Sequence, residues 1–141
     1  MRKRVLGRKF SRDYGARKAL IRSLIRSLVL YGKITTTRAK AKTLQRQVDK
    51  LMSIVRKDNL VARRKVMAKL GNDREISKKL FGEFLELAKS RTGGFTTLIN
   101  LTPRFGDRAQ MARVEWVKIP EKKKTREAGK ARKSSPRGKR K

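Results

Sequence analysis

The amino-acid sequence predicts an α+β domain in which about four helices pack on a small three-stranded sheet. Three observations support this prediction. Apolar residues recur at helical spacing through most of residues 13–90, β-forming residues dominate 95–119, and both ends of the chain are strongly basic. We therefore divide the chain into a basic arm at residues 1–12, one globular domain at 13–120 and a disordered basic tail at 121–141.

The charge of the chain predicts a polyanionic partner. It carries 42 Lys and Arg residues against 11 Asp and Glu residues, a formal net charge of +31. A compact domain with this charge repels itself until a polyanion neutralises it, and phosphate contacts scale with Lys and Arg side chains. Nucleic acid is the partner that fits best. No apolar run approaches the ~20 residues that cross a bilayer, so we expect no membrane partner.

The composition argues against catalysis. There is neither Cys nor His, which removes thiolate chemistry, the commonest nitrogen ligand for metals and the usual general base near neutral pH. The few acidic residues are scattered among many bases, so clustered carboxylates are not expected. We predict no enzymatic activity, no cofactor, no metal site and no small-molecule substrate.

The arm at residues 1–12 has six basic residues, no acidic residue and no helical or strand period. Val5, Leu6 and Phe10 stand between the cations and need a surface to lie on. We interpret the arm as an extended segment along phosphates, with a solvated, disordered terminus as the alternative. Its predicted RNA-binding residues are Arg2, Lys3, Arg4, Arg8, Lys9 and Arg12.

The helices follow from apolar spacing and from capping residues. The first begins near Ser11 or Asp13 and ends at Gly32, and a short strand near 33–36 leads into a second helix at 38–57. A third helix at 59–70 follows Asp58 or Asn59, and a fourth at 74–90 follows Asn72 or Asp73. The apolar stripe predicted on the second helix is Ala41, Leu44, Val48, Leu51, Met52 and Val55. The residues expected to point inward on the third helix are Leu60, Val61, Val66, Met67 and Leu70.

Two helices also carry basic faces. Lys18, Arg22 and Arg26 recur every four residues on the first helix, and the second carries a matching row at Arg38, Lys42, Arg46 and Lys50. On one isolated helix such a row is best interpreted as a solvated face, since stacked like charges repel. Its recurrence along the chain favours a phosphate-facing ridge. Among these residues we predict RNA contacts for Lys18, Arg22 and Lys42.

The pair Gly93–Gly94 follows the predicted end of the fourth helix. Two glycines allow positive φ and close approach of another backbone, while Arg91 and Phe95 place a cation and a flat ring beside them. RNA-binding proteins use such groups for phosphate contact and base stacking, so all four are candidates. The alternative is a helix cap with Phe95 in the core.

Residues 95–119 predict a β-hairpin. The strands are Phe95–Leu101 and Met111–Ile119, with Pro and Gly in the loop between them. The strand near Ile34 is expected to join them in one sheet. Arg104 and Arg108 flank the turn, where they reach a partner or are solvated.

The order of short motifs over residues 1–119 resembles one family, ribosomal protein seventeen of the bacterial large subunit, which also occurs in organelles. The matching stretches include Gly7-Arg8-Lys9-Phe10-Ser11-Arg12, Arg17-Lys18-Ala19, Thr36-Thr37 with Lys40-Ala41-Lys42, Val61-Ala62-Arg63-Arg64, Lys79-Leu80-Phe81, Ser90-Arg91-Thr92-Gly93-Gly94-Phe95-Thr96 and Gly106-Asp107. The chain departs from the family pattern at Lys3 and Ala16, where the family usually has His, and at Thr97, where it usually has Arg.

The resemblance implies an α+β domain that binds large-subunit (23S) rRNA among neighbouring ribosomal proteins. It also implies RNA contacts by Arg17, Thr36, Thr37 and Lys40, and a position near the outer rim of the polypeptide exit tunnel. Such a protein is ribosome-bound in the cytoplasm, with an organellar ribosome as the alternative location. A DNA-compacting protein is the second hypothesis, motivated by the basic tail, and an enzyme acting on nucleic acid is the third.

Overall fold

The computed structural model describes residues 7–117, and its α+β architecture confirms the predicted fold class. The arm residues Arg2, Lys3 and Arg4 and the tail at 121–141 lie outside the described residues. In chain order the elements are α1 (Tyr14–Tyr31), β1 (Lys33–Thr37), α2 (Arg38–Val55), α3 (Leu60–Leu70), α4 (Arg74–Gly82), α5 (Leu85–Ser90), β2 (Thr96–Asn100) and β3 (Met111–Trp116).

The sheet has three antiparallel strands in the order β1-β3-β2, so the strand near Ile34 does join the hairpin. Lys33 lies opposite Glu115 on one side of β3, and Thr96 lies opposite Trp116 on the other. Ala112, Val114 and Trp116 alternate with more exposed residues and face the core. β2 is one residue shorter at each end than the predicted strand, although the amides of Leu101 and Val117 still donate to the carbonyls of Met111 and Phe95. The second strand begins at Met111 as predicted, and its predicted end lies outside the described residues.

The core lies between this sheet and the helices. Along α2 the predicted apolar stripe is buried throughout, because its period matches the helical turn. The ring of Trp116 packs against that of Phe84, with the ring centroids 4.5 Å apart. The largest fully buried side chains are Phe95, Leu28, Leu44, Met52, Ile76, Leu80, Val48, Val55, Val66 and Val114.

The prediction that the first residues of α3 point into the core was wrong. Leu60 and Val61 are 63% and 54% exposed. The buried stripe is instead Ala62, Val66 and Leu70, which recur every four residues on one face. Asn59 caps this helix by accepting a hydrogen bond from the amide of Ala62 at 2.7 Å, as one of the two predicted caps.

The single helix predicted at 74–90 is two helices, α4 and α5. The first starts as expected, with the Asp73 carboxylate accepting from the amide of Ile76 at 3.2 Å. It ends at Gly82, a residue that disfavours a helix interior. The resulting turn at Glu83 and Phe84 brings the Phe84 ring into the core.

The described end of the arm is not straight. Phe10 and Ser11 both have positive φ, 57° and 49°, and the amide of Arg12 donates to the carbonyl of Lys9 at 3.2 Å. The chain therefore turns just before α1. The prediction of an extended arm is wrong for this short stretch.

Candidate nucleic-acid interface

A cleft opens at the beginning of α2, where the arm, the helix and the end of the hairpin loop meet. It encloses about 450 Å³. The amide of Arg38 donates to the carbonyl of Gln110 at 2.9 Å, and its guanidinium donates to the Gln110 side chain at 3.0 Å. These bonds fix the loop end against the helix. We call this the α2 cleft; its lining residues are Arg8, Thr37, Arg38, Ala39, Lys42, Ala109 and Gln110.

The electrostatics of the α2 cleft favour an anion. Arg8, Arg38 and Lys42 contribute three cations, and the lining contains no carboxylate. The first turn of α2 carries no acidic residue, and the Thr37 side chain makes no capping hydrogen bond. The amide groups and the dipole of this helix end therefore add to the positive potential of the cations.

A row of cations continues from the cleft along α2. Lys42, Arg46 and Lys50 are spaced by four residues, are exposed, and lie away from the buried stripe of the same helix. Within residues 7–117 none of these three forms a side-chain hydrogen bond or an ion pair. Their charges are thus available to phosphates spaced along a nucleic-acid backbone. Lys40, on an adjoining face, is half-buried.

The predicted ridge on α1 is only partly available, because two of its cations are bound to groups on other parts of the domain. Arg22 donates from Nε to the carbonyl of Lys69 at 2.9 Å and from Nη2 to that of Ala68 at 3.3 Å. Arg26 forms ion pairs with Asp73 and Glu75.

The cations at the start of α1 remain outward. Lys18 is exposed and Arg17 half-buried, and both lie near the exposed Tyr14 ring, 5.7 and 5.9 Å from its centroid. At the arm turn, Lys9 and Arg12 are exposed. The α1 surface therefore keeps a cationic end, although not the continuous ridge that the spacing indicated.

The loop at Gly93–Gly94 has the positive φ that the sequence indicated at Gly94 but not at Gly93. Gly94 has φ +63°, and a Cβ atom added there would meet no atom within 4 Å. Gly93 is equally open, and Arg91 is exposed beside them. The Asp49 side chain accepts a hydrogen bond from the amide of Phe95 at 3.3 Å and so ties the loop to α2.

Phe95 does not belong to a binding surface. Its side chain is completely buried in the core. A ring without solvent exposure offers no face to a base, so the prediction that Phe95 stacks on RNA was wrong and the alternative of core packing is the observed one.

The hairpin loop at residues 101–110 presents both of its predicted cations outward. Arg104 is paired with Asp107, through Nε at 3.2 Å and Nη2 at 2.6 Å. The hydrogen bond from Arg104 lowers the pKa of the Asp107 carboxyl to about 2. Arg108 is exposed, has φ 48°, and makes no ion pair with any described residue.

The structure thus brings three predicted residues, Arg8, Thr37 and Lys42, into one cleft. Sequence reasoning did not include Arg38 or Gln110 among the binding residues, although Arg38 stands four residues before Lys42 on the same basic row. Thr36 is half-buried within β1. Across the described chain there is no cluster of three metal-binding side chains, and no helix is long and apolar enough to cross a membrane.

Comparison with known proteins identifies the family. The model of the family described as ribosomal protein L17 matches residues 20–117. The large ribosomal subunit protein bL17 of Persephonella marina is 42% identical over 123 residues, covering 86% of this chain and 99% of that protein. The bL17 protein of Thermodesulfovibrio yellowstonii is 41% identical over 133 residues, covering 93% and 99%. That of Chloroherpeton thalassium is 41% identical over 121 residues, covering 86% and 71%. The chain belongs to the ribosomal protein L17 family, and it is a structural ribosomal protein rather than an enzyme.

Proposed function

We propose that this protein, a structural member of the large ribosomal subunit, binds large-subunit rRNA by placing a phosphate in the α2 cleft and neighbouring phosphates along the α2 row. The observation that supports this most directly is that Arg8, Arg38 and Lys42 line one cleft at a helix end with no side-chain cap and no acidic neighbour. The concave shape favours a bound phosphate over a merely solvated charge, because several donors line the same concavity.

The remaining contacts extend this surface. Lys9, Arg12, Arg17 and Lys18 lie around the arm turn and the start of α1, and Arg91 lies beside the open Gly93–Gly94 loop. Together with arm residues 1–6, they would let one small domain contact several RNA segments. The mechanism is charge neutralisation and shape recognition, which hold neighbouring RNA segments and proteins in place.

A matched pair of double variants tests the cleft. Arg8→Ala with Lys42→Ala removes one Arg and one Lys from the cleft, and Arg64→Ala with Lys65→Ala removes the same charges from the exposed face of α3. Binding of the full chain to large-subunit rRNA transcribed in vitro is measured at several salt concentrations. The cleft variant should reduce the salt slope by about 1.4–1.8, since each lost phosphate contact contributes roughly 0.7–0.9.

The control variant should keep the slope of the original protein, and both should melt at nearly the same temperature. Equal losses in the two double variants would mean that net charge, and not the cleft, determines binding. A response to salt that is flat in the original protein would contradict the phosphate mechanism itself.

We also propose the location near the exit-tunnel rim, which rests on the family resemblance alone. Because the chain has no Cys, a single Cys placed at the exposed Ser53 or at Gln110 can carry a crosslinker in assembled subunits. Crosslinks from either position to rRNA or protein at the rim, or to a stalled nascent chain, would support the location. Crosslinks confined to other regions would contradict it.

A further inference from the structure

The ring of Phe105 stands alone at the tip of the hairpin loop. Its exposure is 102%, while Phe81, Phe84 and Phe95 are all buried. An aromatic side chain with no internal contact contributes nothing to the core, and leaving it in water is unfavourable. Phe105 therefore takes no part in the packing of the domain, and its ring is open to a partner.

Hydrogen bonds close the backbone of the loop that carries this ring. Besides the double hydrogen bond from Arg104, Asp107 accepts from the amide of Ala109 at 3.1 Å. The amide of Arg104 donates to the carbonyl of Ala109 at 2.9 Å, closing the loop beneath the tip. Gly106 has φ +95°, which lets the backbone turn directly after the ring. A fixed loop presents its aromatic ring with little ordering cost on binding.

The surroundings of Phe105 are cationic and continuous with the α2 cleft. Arg108 lies beside the tip without an acidic partner in the described chain. Ala109 and Gln110, which follow it directly, line the α2 cleft. The residues that form the loop tip and those that line the cleft are thus neighbours in the chain. A nucleic-acid strand whose phosphate occupies the cleft can therefore extend to the loop tip.

We propose that Phe105 stacks on an unpaired base of the rRNA segment that the α2 cleft holds. This inference rests on the proposed function. The chemistry is that of a flat, uncharged ring beside phosphate-binding cations, the combination that recognises single-stranded or flipped-out nucleotides. The cleft would position the backbone, and Phe105 would engage the base without selecting its sequence, since every base has a stacking face.

Three substitutions at the tip separate stacking from simple apolar contact. Phe105→Ala and Phe105→Leu should each weaken binding of the full chain to transcribed large-subunit rRNA, by about 5- to 150-fold for the loss of one stacked base. Phe105→Tyr should bind like the original protein. Tyr31→Ala is the matched control, because Tyr31 is an aromatic residue 75% exposed on another surface, and it should bind normally.

The possible failures are distinguishable. If the original protein binds with a steep salt response and Phe105→Ala binds equally well, the stacking inference is overturned and the proposed function stands. If Phe105→Leu binds normally while Phe105→Ala does not, the contact is apolar and stacking is again overturned. If the original protein shows no salt-dependent rRNA binding, the proposed function itself fails.

A fluorescence experiment identifies what covers the ring. In Phe105→Trp the new indole is exposed, whereas Trp116 is 4% exposed and buried, so acrylamide quenching distinguishes the two. Addition of transcribed rRNA should quench the new indole and shield it from acrylamide, and a perfect RNA duplex should do neither. Shielding that occurs only in fully assembled subunits would overturn the proposal, because a neighbouring protein would then be the partner.

Discussion

The indole Nε1 of Trp116 donates a hydrogen bond to the carbonyl oxygen of Leu28 across 3.1 Å in the core. The two residues are 88 positions apart in the chain, and the bond joins the middle strand of the sheet to α1. The same carbonyl accepts from the amide of Gly32, at the end of that helix. One buried oxygen thus connects the sheet, the helix and its cap.

Replacing Trp116 by Phe should destabilise the domain by about 1–3 kcal/mol, from the lost hydrogen bond and the smaller ring. Urea unfolding followed by far-ultraviolet circular dichroism measures this, because the substitution removes the only Trp. Tyr31→Phe, which removes an exposed hydroxyl, should change stability by less than ~0.5 kcal/mol. Equal stability of Trp116→Phe and the original protein would show that the bond makes no net contribution.

Alanine substitutions at Arg22 and Arg46 should distinguish a cation that stabilises the fold from one that binds RNA. Arg22 satisfies carbonyls at the end of α3, so Arg22→Ala should lower the free energy of unfolding by about 1 kcal/mol. Arg46 is exposed on the α2 row, so Arg46→Ala should leave stability unchanged and weaken rRNA binding. Thermal melts and salt-dependent binding of both variants provide the check. A stable Arg22→Ala variant would mean that water replaces the guanidinium at no cost.

Substitutions at Gly94 and Gly93 should differ in their effect on stability, although an added Cβ atom would meet no other atom within 4 Å at either position. Gly94→Ala places a side chain at φ +63° and should cost about 1–2 kcal/mol of stability, since L residues disfavour that region. At Gly93 φ is not in that region, and Gly93→Ala should be nearly neutral. Chemical denaturation of the two variants compares the costs directly. Similar losses at both positions would point to a steric cause rather than a backbone cause.

Asp107 should titrate far below an ordinary carboxyl. Its pKa is lowered from 3.8 to about 2, chiefly by the hydrogen bond from Arg104. Because the folded pKa is depressed, the stabilisation of the loop is fully present above pH 3.8 and is lost as the pH falls through about 2.

An NMR titration of the Asp107 carboxyl measures this pKa. In Arg104→Ala the midpoint should rise toward the ordinary value, while Arg108→Ala should leave it almost unchanged. A midpoint that stays low in Arg104→Ala would assign most of the pKa shift to the hydrogen bond from the amide of Ala109 rather than to Arg104.

Local patterns predicted the parts of the fold that depend on local physics. The period of the α2 stripe, the cap at Asp73 and the left-handed Gly94 all follow from neighbouring residues. The break between α4 and α5 was not predicted, although Gly82 disfavours a helix interior and so indicated it. The exposure of Leu60 and Val61 could not be predicted, because the orientation of a short helix depends on what it packs against.

The candidate site was predictable only in its charges. The basic row on α2 follows from a four-residue spacing, but the loss of Arg22 and Arg26 to internal partners depends on contacts with α3 and α4, far along the chain. The burial of Phe95 likewise depends on how β2 docks on α2. The cleft itself forms from three distant segments, so no local pattern could have indicated its shape.

The order β1-β3-β2 has a consequence for how the chain folds. Lys33 and Glu115 are far apart in the sequence, with all four later helices between them, so closing this pair costs more loop entropy than pairing neighbouring helices. We expect the helices to associate first and β3 to enter the sheet last.

Until β3 enters, β1 and β2 both expose unpaired edges. The like charges of the chain slow its collapse, and they also discourage aggregation through these edges. Val114→Ala in β3 should therefore mainly accelerate unfolding, as stopped-flow kinetics can show.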